Sequence, residues 1–148
     1  MLPYVKDISL LSNHIFMEII YKIDHQPKVE EIIEVYKSSG INRPVSDKDR
    51  IAEMYAHSNL IVTAWHHNEL VGISRALTDF CYCCYLSDLA VRSNYQKQGI
   101  GKKLVDLTKE KVGDRTTLIL LAAPEAIDYY PKIGLVKIEN GFIIKRTE

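Results

Sequence analysis

Apolar residues follow two different spacings along this chain, and these spacings predict strands and helices in turn. An apolar run at 16–23 indicates a first strand, which ends at a polar turn containing a proline. Helical spacing follows at Val29, Ile32, Ile33 and Tyr36. A second helix is predicted from Ser46, whose hydroxyl can cap its first turn, to Asn59. The first part of the chain therefore predicts one strand and two helices.

The remaining pattern predicts a sheet that is interrupted by two more helices. Strands are expected at 60–65 and 70–77, which form a hairpin, and then at 81–91 and 117–122. A helix with a broad apolar stripe is expected from Ile100 to Val112. Pro124 opens another helix, Gly134 stops it, and a last strand follows. The order β-α-α-β-β-β-α-β-α-β predicts an α/β (α+β) fold, a mixed sheet flanked by helices.

Length and charge limit the classes of protein to consider. The 148 residues are 47% hydrophobic, which suits one sizeable core and is too short for two ordinary domains, so a single domain over 1–148 is expected. Nineteen basic and nineteen acidic residues cancel, so charge does not indicate a nucleic acid or a membrane partner. The sequence lacks a signal-peptide pattern and a long apolar span, so a cytoplasmic location is expected.

A glycine-containing segment follows the predicted strand 81–91 and opens the next helix. Gly99 and Gly101 let a ligand approach the backbone, and the first N–H groups of a helix have no intrahelical partner. An anion such as a phosphate is the natural occupant. The dinucleotide fingerprint is excluded by Leu104, and Gly101-Lys102-Lys103 does not fit the P-loop.

Two motifs resemble those of the GCN5-related N-acetyltransferase (GNAT) superfamily. Gln96-Lys97-Gln98-Gly99-Ile100-Gly101 resembles its acetyl-CoA pyrophosphate loop, Gln/Arg-x-x-Gly-x-Gly/Ala. Tyr129-Tyr130-Pro131-Lys132-Ile133-Gly134-Leu135 resembles the segment that carries its catalytic tyrosine. The resemblance implies a GNAT-like fold and an acetyl-CoA-dependent N-acetyltransferase. Such an enzyme moves the acetyl group to a primary amine of a small molecule or peptide by direct attack.

The resemblance also implies which residues form the site. Tyr130 corresponds to the general acid that protonates the leaving thiolate. The N–H of Val91 corresponds to the group that polarises the thioester carbonyl. The implied cofactor-binding residues lie on the strand, the loop and the first helical turn: Leu89, Ala90, Val91, Gln96, Lys97, Gln98, Gly99, Ile100, Gly101 and Lys102. Acetyl-CoA is the only cosubstrate implied, and no metal is expected.

The chain departs from the family pattern at two positions. Tyr85 stands where some members carry a glutamate base. Asp88 has the opposite strand parity to Tyr85, which favours a structural or substrate-facing role over a role as base. Ala122-Ala123-Pro124 replaces an asparagine that contacts the cofactor in many members.

The cysteines and histidines indicate no additional chemistry. Cys81, Cys83 and Cys84 are expected to be buried strand thiols, since their spacing fits neither a disulfide nor a metal site. His66 and His67 are expected to be solvated at a hairpin tip. Partners are not predicted for the other three histidines, His14, His25 and His57.

The acceptor is the least defined part of the prediction. Six acidic residues lie in the region of the first two predicted helices: Glu30, Glu31, Glu34, Asp47, Asp49 and Glu53. They suit a polycationic amine such as an aminoglycoside or a polyamine, or they are solvated helix faces. A small-molecule acceptor, without nucleic acid or membrane, and a possible homodimer are expected. The alternatives are a non-catalytic acyl-CoA-binding regulatory module and an unrelated α/β domain that binds another phosphate ligand.

Overall fold

The computed structural model describes residues 5–10 and 16–148, so His14 lies outside the described residues. The elements in chain order are β1 Val5–Leu10, β2 Phe16–Ile23, α1 Val29–Ser39, α2 Lys48–Ala56, β3 Leu60–His66, β4 Glu69–Thr78, β5 Cys83–Val91, α3 Ile100–Val112, β6 Thr117–Ile119 and α4 Tyr129–Lys132. Within these residues, no helix is long and apolar enough to cross a membrane.

The strands form one mixed sheet in the order β1-β2-β3-β4-β5-β6. Neighbours from β1 to β5 are antiparallel, whereas β6 runs parallel to β5. The β5–β6 pairing covers only Cys83–Tyr85 against Thr117–Ile119. Because β5 continues to Val91, the sheet opens between these two strands.

Helices cover both faces of the sheet. On one face, α3 buries Leu104, Leu107 and Val112 against the inner strands. On the other face, α1 and α2 bury Tyr36 and Tyr55 among aliphatic residues. The two layers fix the sheet between them, and the mixed sheet with flanking helices confirms the predicted fold class.

The two ends of the fold differ from the predicted element order. β1 was not predicted from the sequence, yet its backbone pairs with β2 along all six residues. The last strand predicted after Gly134 is wrong, since residues 135–148 have neither helix nor strand. β6 offers an edge of only three residues, and the Leu135 N–H bonds back to the carbonyl of Tyr130 at 3.1 Å, which turns the chain away from that edge.

A bulge in β5 changes which side chains share a face. Arg75 of β4 faces Asp88, while the next residue, Ala76, faces Leu86, so Ser87 is the extra residue. Leu86 lies in the core under α3, but Asp88 bonds to Tyr36 of α1. Asp88 therefore faces the same side as Tyr85, and the parity expected from the sequence is wrong.

The cysteines lie at the β4–β5 turn and in the strand that follows it. Only Cys84 is buried, whereas Cys81 and Cys83 are exposed, which corrects their prediction as buried thiols. The Asp79 carboxylate accepts the N–H groups of Cys81, Tyr82 and Cys83 at 2.8–3.0 Å. These bonds fold the segment into a tight turn, so the two thiols project to solvent.

Candidate active site

A cleft of about 1040 Å³ opens where β5 and β6 separate. One wall is formed by β5 from Tyr85 to Val91, and the opposite wall by residues 120–123 after β6. The α1–α2 loop closes one end, and Tyr130 of α4 also lines the cavity. Three segments implied by the family motifs, namely the β5 strand, Gln96 and Tyr130, thus share one cavity.

Backbone groups of β5 face this cleft. The Arg92 N–H bonds to the carbonyl of Val71 in β4 at 2.8 Å. Because successive N–H groups on a strand point to opposite neighbours, the N–H groups of Leu89 and Val91 point away from β4. In the described part of the chain, β6 ends before it could pair with them. These two donors are therefore available to a ligand.

The segment between β5 and α3 leaves the first N–H groups of α3 without a capping side chain. Lys97 and Gly99 have φ values of 61° and 84°, which turn the backbone into the helix. Gly99 is the N-cap and has no side chain to satisfy the first-turn N–H groups of α3. The Gln96 amide Nε2 donates to the Val91 carbonyl at 2.9 Å and fixes the loop to β5.

The remaining predicted loop residues take different positions. Gln98 Nε2 donates to the Asn94 carbonyl at 3.3 Å, which closes the loop on itself. Ile100 is buried in the core and anchors the start of α3. Lys102 is exposed and pairs with Asp106 one turn later, so its charge lies on the flank of the helix.

Tyr129, next to the Tyr130 of the tyrosine motif, lies against the loop before α3. A Cβ atom added at Gly101 would lie 2.6 Å from its hydroxyl oxygen, so the phenol covers the first turn of α3. Burial and the charge of Asp106 raise the Tyr129 pKa, so the hydroxyl stays protonated and can donate. In the sequence, this position of Tyr129 is indicated only by the adjacent Tyr130, whose ring centroid lies 5.3 Å from that of Tyr129.

Tyr130 keeps its proton at neutral pH. Burial and Tyr129 raise its pKa, while the guanidinium of Arg43 opposes them. A protonated phenol on the wall of the cleft has the form that a general acid needs.

Asp88 is the centre of a buried ion-pair cluster. Its carboxylate accepts from the Tyr36 hydroxyl and from the Nε atoms of Arg43 and Arg75, each at 2.6 Å. Burial raises the Asp88 pKa, but the hydrogen bond and charge of Arg75 and the charge of Arg43 outweigh burial and lower it overall. An ionised carboxylate with these partners is a weak base and serves as a counter-ion.

The acidic residues noted in the sequence do not line the cleft. Of the six, five are exposed on α1, α2 or their connection, and Glu31 caps α1 by accepting the Lys28 N–H at 2.9 Å. The cleft is lined instead by Arg43, Arg50 and Arg75 near the α1–α2 end. The interpretation of the acidic residues as solvated helix faces is the one that the structure supports.

The residues at which the sequence departs from the family pattern lie on opposite walls of the cleft. Tyr85 lines the cleft where some family members carry a glutamate, and Ala122 and Ala123 line the opposite wall.

His66 is not simply solvated, because its Nδ1 bonds to the Tyr95 hydroxyl at 2.8 Å. Among residues 5–10 and 16–148, no group of three or more His, Cys, Asp or Glu side chains could hold a metal ion.

The sequence is similar to a known protein family and to curated proteins. The family model described as "Acetyltransferase (GNAT) domain" matches residues 31–145. An uncharacterized N-acetyltransferase, ycf52, from Porphyra purpurea is 30% identical over 118 residues, 75% of this chain and 66% of that protein. Its counterpart from Pyropia yezoensis is 24% identical over 133 residues, 85% of this chain and 75% of that protein. The chain thus spans about two thirds of the length of the Porphyra relative.

The fold is similar to that of several solved structures. A probable acetyltransferase of unknown function from meticillin-resistant Staphylococcus aureus gives a TM-score of 0.71 at 20% identity, over 85% of this chain and 99% of the other. An aminoglycoside N-acetyltransferase in complex with CoA gives 0.67 at 14% identity, over 93% and 99%. These structures share the fold, and the family match covers most of the sequence. The chain therefore belongs to the acetyltransferase (GNAT) family.

Proposed function

We propose that this protein is an acetyl-CoA-dependent N-acetyltransferase that acts on a primary amine of a small molecule. One observation carries the proposal. Where the sheet opens between β5 and β6, the free backbone N–H groups of Leu89 and Val91 lie in the same cleft as Tyr130. The Gln96 side chain holds the loop before α3 against β5.

The cofactor-binding part of the proposal uses backbone groups. The pyrophosphate of acetyl-CoA would bind the N–H groups from Gln98 to Lys102, where the helix dipole favours an anion. The pantetheine arm would run along β5 and bond to the backbone of 89–91. The Tyr129 hydroxyl adds a donor beside Gly101.

The chemical part of the proposal uses two donors of this chain. The Val91 N–H stabilises the negative charge on the thioester oxygen when the amine attacks, an effect of the order of 10²–10³ in rate. The C–N bond forms, the C–S bond breaks, and the amine releases its proton to solvent. Tyr130 gives its proton to the departing sulfur and regains one from water.

Calorimetric titration with acetyl-CoA tests the binding step without knowledge of the acceptor. Heat with acetyl-CoA, and none with ATP or NAD, is expected, because the loop departs from both nucleotide fingerprints. The absence of heat with acetyl-CoA at two temperatures would contradict the proposal.

Tyr130→Phe tests the chemical step. Loss of the hydroxyl should lower kcat by roughly tenfold or more and leave the affinity for acetyl-CoA unchanged, because the proton is needed only when the sulfur leaves. Steady-state kinetics and calorimetry measure the two quantities. The control is Tyr82→Phe, whose side chain is 78% exposed in the β4–β5 turn. Equal kcat values for wild type and Tyr130→Phe would assign Tyr130 to packing.

A non-catalytic acyl-CoA-binding module is the second candidate, and one observation favours it. Tyr85 occupies the position of the family's glutamate, and the Asp88 carboxylate is fully engaged by Arg43 and Arg75. This candidate predicts acetyl-CoA binding without transfer to any amine.

A cytoplasmic location and a homodimer remain predictions; one relative, from Arabidopsis thaliana, is named as chloroplastic.

A further inference from the structure

The α1–α2 end of the cleft carries more positive charge than its buried carboxylate can balance. Arg43 and Arg75 both bond to Asp88, which is completely buried. In the described residues, Asp88 is the one carboxylate that contacts either guanidinium. Two cations and one anion leave this cluster with a net charge of plus one.

The two tyrosines of the cluster do not supply a second negative charge. Burial raises the pKa of Tyr36 and of Tyr55 well above the ordinary value, and the Tyr36 hydroxyl donates to Asp88. Both phenols are therefore neutral at any physiological pH. The surplus positive charge persists at the wall of the cleft.

Arg50 adds a second uncompensated cation beside the first. It is exposed on α2, lines the cleft, and has no side-chain hydrogen bond or ion pair to any residue that the structure describes. The Arg43 side chain also keeps 23% of its surface accessible. On the far wall, Glu125, Arg146 and Glu148 carry a net charge of minus one, so the lining as a whole is basic.

We propose that the acceptor carries an anionic group, a carboxylate or a phosphate, in addition to its amine, and that Arg50 and Arg43 bind this group. The inference rests on the proposed function and names its substrate class. Guanidinium groups bind carboxylate and phosphate oxygens through charge-assisted hydrogen bonds. A polycationic acceptor would be repelled by the same wall.

The positive wall also acts on the amine itself. Cations near an ammonium group disfavour its charged form and lower its pKa. Only the neutral amine has the lone pair that attacks the thioester. The positive charge that the bound anionic group leaves unbalanced therefore increases the fraction of the amine in its reactive form, which matters in a cleft where Asp88 is unsuited to act as a base.

The test compares acceptors that differ only in the anionic group. The pairs are 4-aminobutyrate with butylamine, and glucosamine 6-phosphate with glucosamine; spermidine and kanamycin are the cationic set. We expect kcat/KM to be at least about tenfold higher for the anionic member of one pair, and the ratio to fall as salt is added. The pair that shows the effect distinguishes a carboxylate from a phosphate.

Arg50→Gln assigns the preference to the cleft. It should lower the anionic-to-neutral ratio of kcat/KM severalfold, because one of the two charge partners is removed while Arg43 remains. The matched control is Arg115→Gln, an exposed arginine that does not line the cleft and should keep the wild-type ratio. An unchanged ratio in Arg50→Gln would overturn the assignment.

The outcomes separate this inference from the proposed function. A protein that fails to bind acetyl-CoA by calorimetry overturns the proposed function and this inference together. A protein that binds acetyl-CoA and prefers butylamine, glucosamine or the cationic set overturns the acceptor class alone. Binding of acetyl-CoA without acetylation of any anionic amine also overturns it.

Discussion

Gly101 and Tyr129 limit each other's size at the first turn of α3. The hydroxyl oxygen of Tyr129 lies 2.6 Å from the position of a Cβ atom on residue 101, and the ring carbon behind it lies at 3.6 Å. The first distance is a clash, whereas the second is an ordinary van der Waals contact. A side chain at 101 would therefore require the Tyr129 ring to move away from the proposed phosphate-binding turn.

The pair can be tested by a double substitution. Gly101→Ala should displace Tyr129 and weaken acetyl-CoA binding by roughly tenfold, since overpacking costs about 1–3 kcal/mol. The Gly101→Ala substitution should cost less affinity when it is added to Tyr129→Phe than when it is added to wild type. Calorimetry measures all four affinities. Additive effects would show that the hydroxyl does not crowd residue 101.

The role of Tyr129 could not be predicted from its spacing. It lies at i+3 from Ala126 and i−4 from Ile133, which is the pattern of a core residue. Tyr129 is 37% exposed because α4 is a single turn and the phenol leans across to α3. Periodicity reports the face of one helix, whereas this contact depends on where two helices meet.

Among the elements, α3 packs tightly against β4 at Gly72. A Cβ atom there would lie 3.0 Å from Leu104 Cδ1 and 3.2 Å from Ile100 Cγ2. Ile100 and Leu104 hold the first turns of α3 in the core, directly after the loop. Because residue 72 has no side chain, α3 packs close to β4, and this packing determines the distance of the proposed phosphate-binding turn from the sheet.

Gly72→Val should destabilise the fold by about 1–3 kcal/mol, because the added atoms overlap two buried side chains. It should also weaken acetyl-CoA binding, since α3 must move outward. Urea unfolding and calorimetry measure the two effects. The control is Gly141→Val, where the nearest atom to a Cβ lies at 3.9 Å. A free energy of unfolding equal to that of wild type would show that the core has room at residue 72.

Most elements could be predicted because their patterns are local. The strand at 16–23, the β3–β4 hairpin and the helix from Ile100 to Val112 have the bounds, or nearly the bounds, that the apolar spacing indicated. The bulge at Ser87 could not be predicted, since one extra residue leaves the apolar pattern almost intact and reverses every side chain beyond it. The length of β6 depends on where β5 diverges from it, which is a property of the whole sheet.

At the scale of the whole molecule, the Asp88 cluster connects the helical layer to the sheet. It joins Tyr36 of α1 and Arg43 of the α1–α2 loop to Arg75 of β4. The Arg43 guanidinium also donates to the Ser87 carbonyl at 2.7 Å. Loss of the Asp88 charge would leave two guanidinium groups close together, one of them buried, without an anion.

The cluster therefore makes stability depend on pH in a defined direction. The Asp88 pKa is lower in the folded protein than in the unfolded chain, so the folded state binds its proton less readily. Its contribution is fully present above the unfolded pKa, about 3.9, and is lost as the pH falls through the lower folded pKa. Acid should thus weaken the attachment of α1 and its loop to the sheet.

Asp88→Asn tests this dependence. The variant should be less stable than wild type by about 3–5 kcal/mol near neutral pH, because an amide leaves the paired arginines without a counter-charge. The difference should shrink as the pH falls below about 3.9 and through the lowered pKa of Asp88, where wild type loses the same charge. Urea unfolding across this range measures it, with Asp114→Asn, an exposed aspartate, as the control. A difference that stays constant with pH would mean that Asp88 stabilises the fold through the geometry of its hydrogen bonds and not through its charge. The geometry of the cleft would then depend on packing.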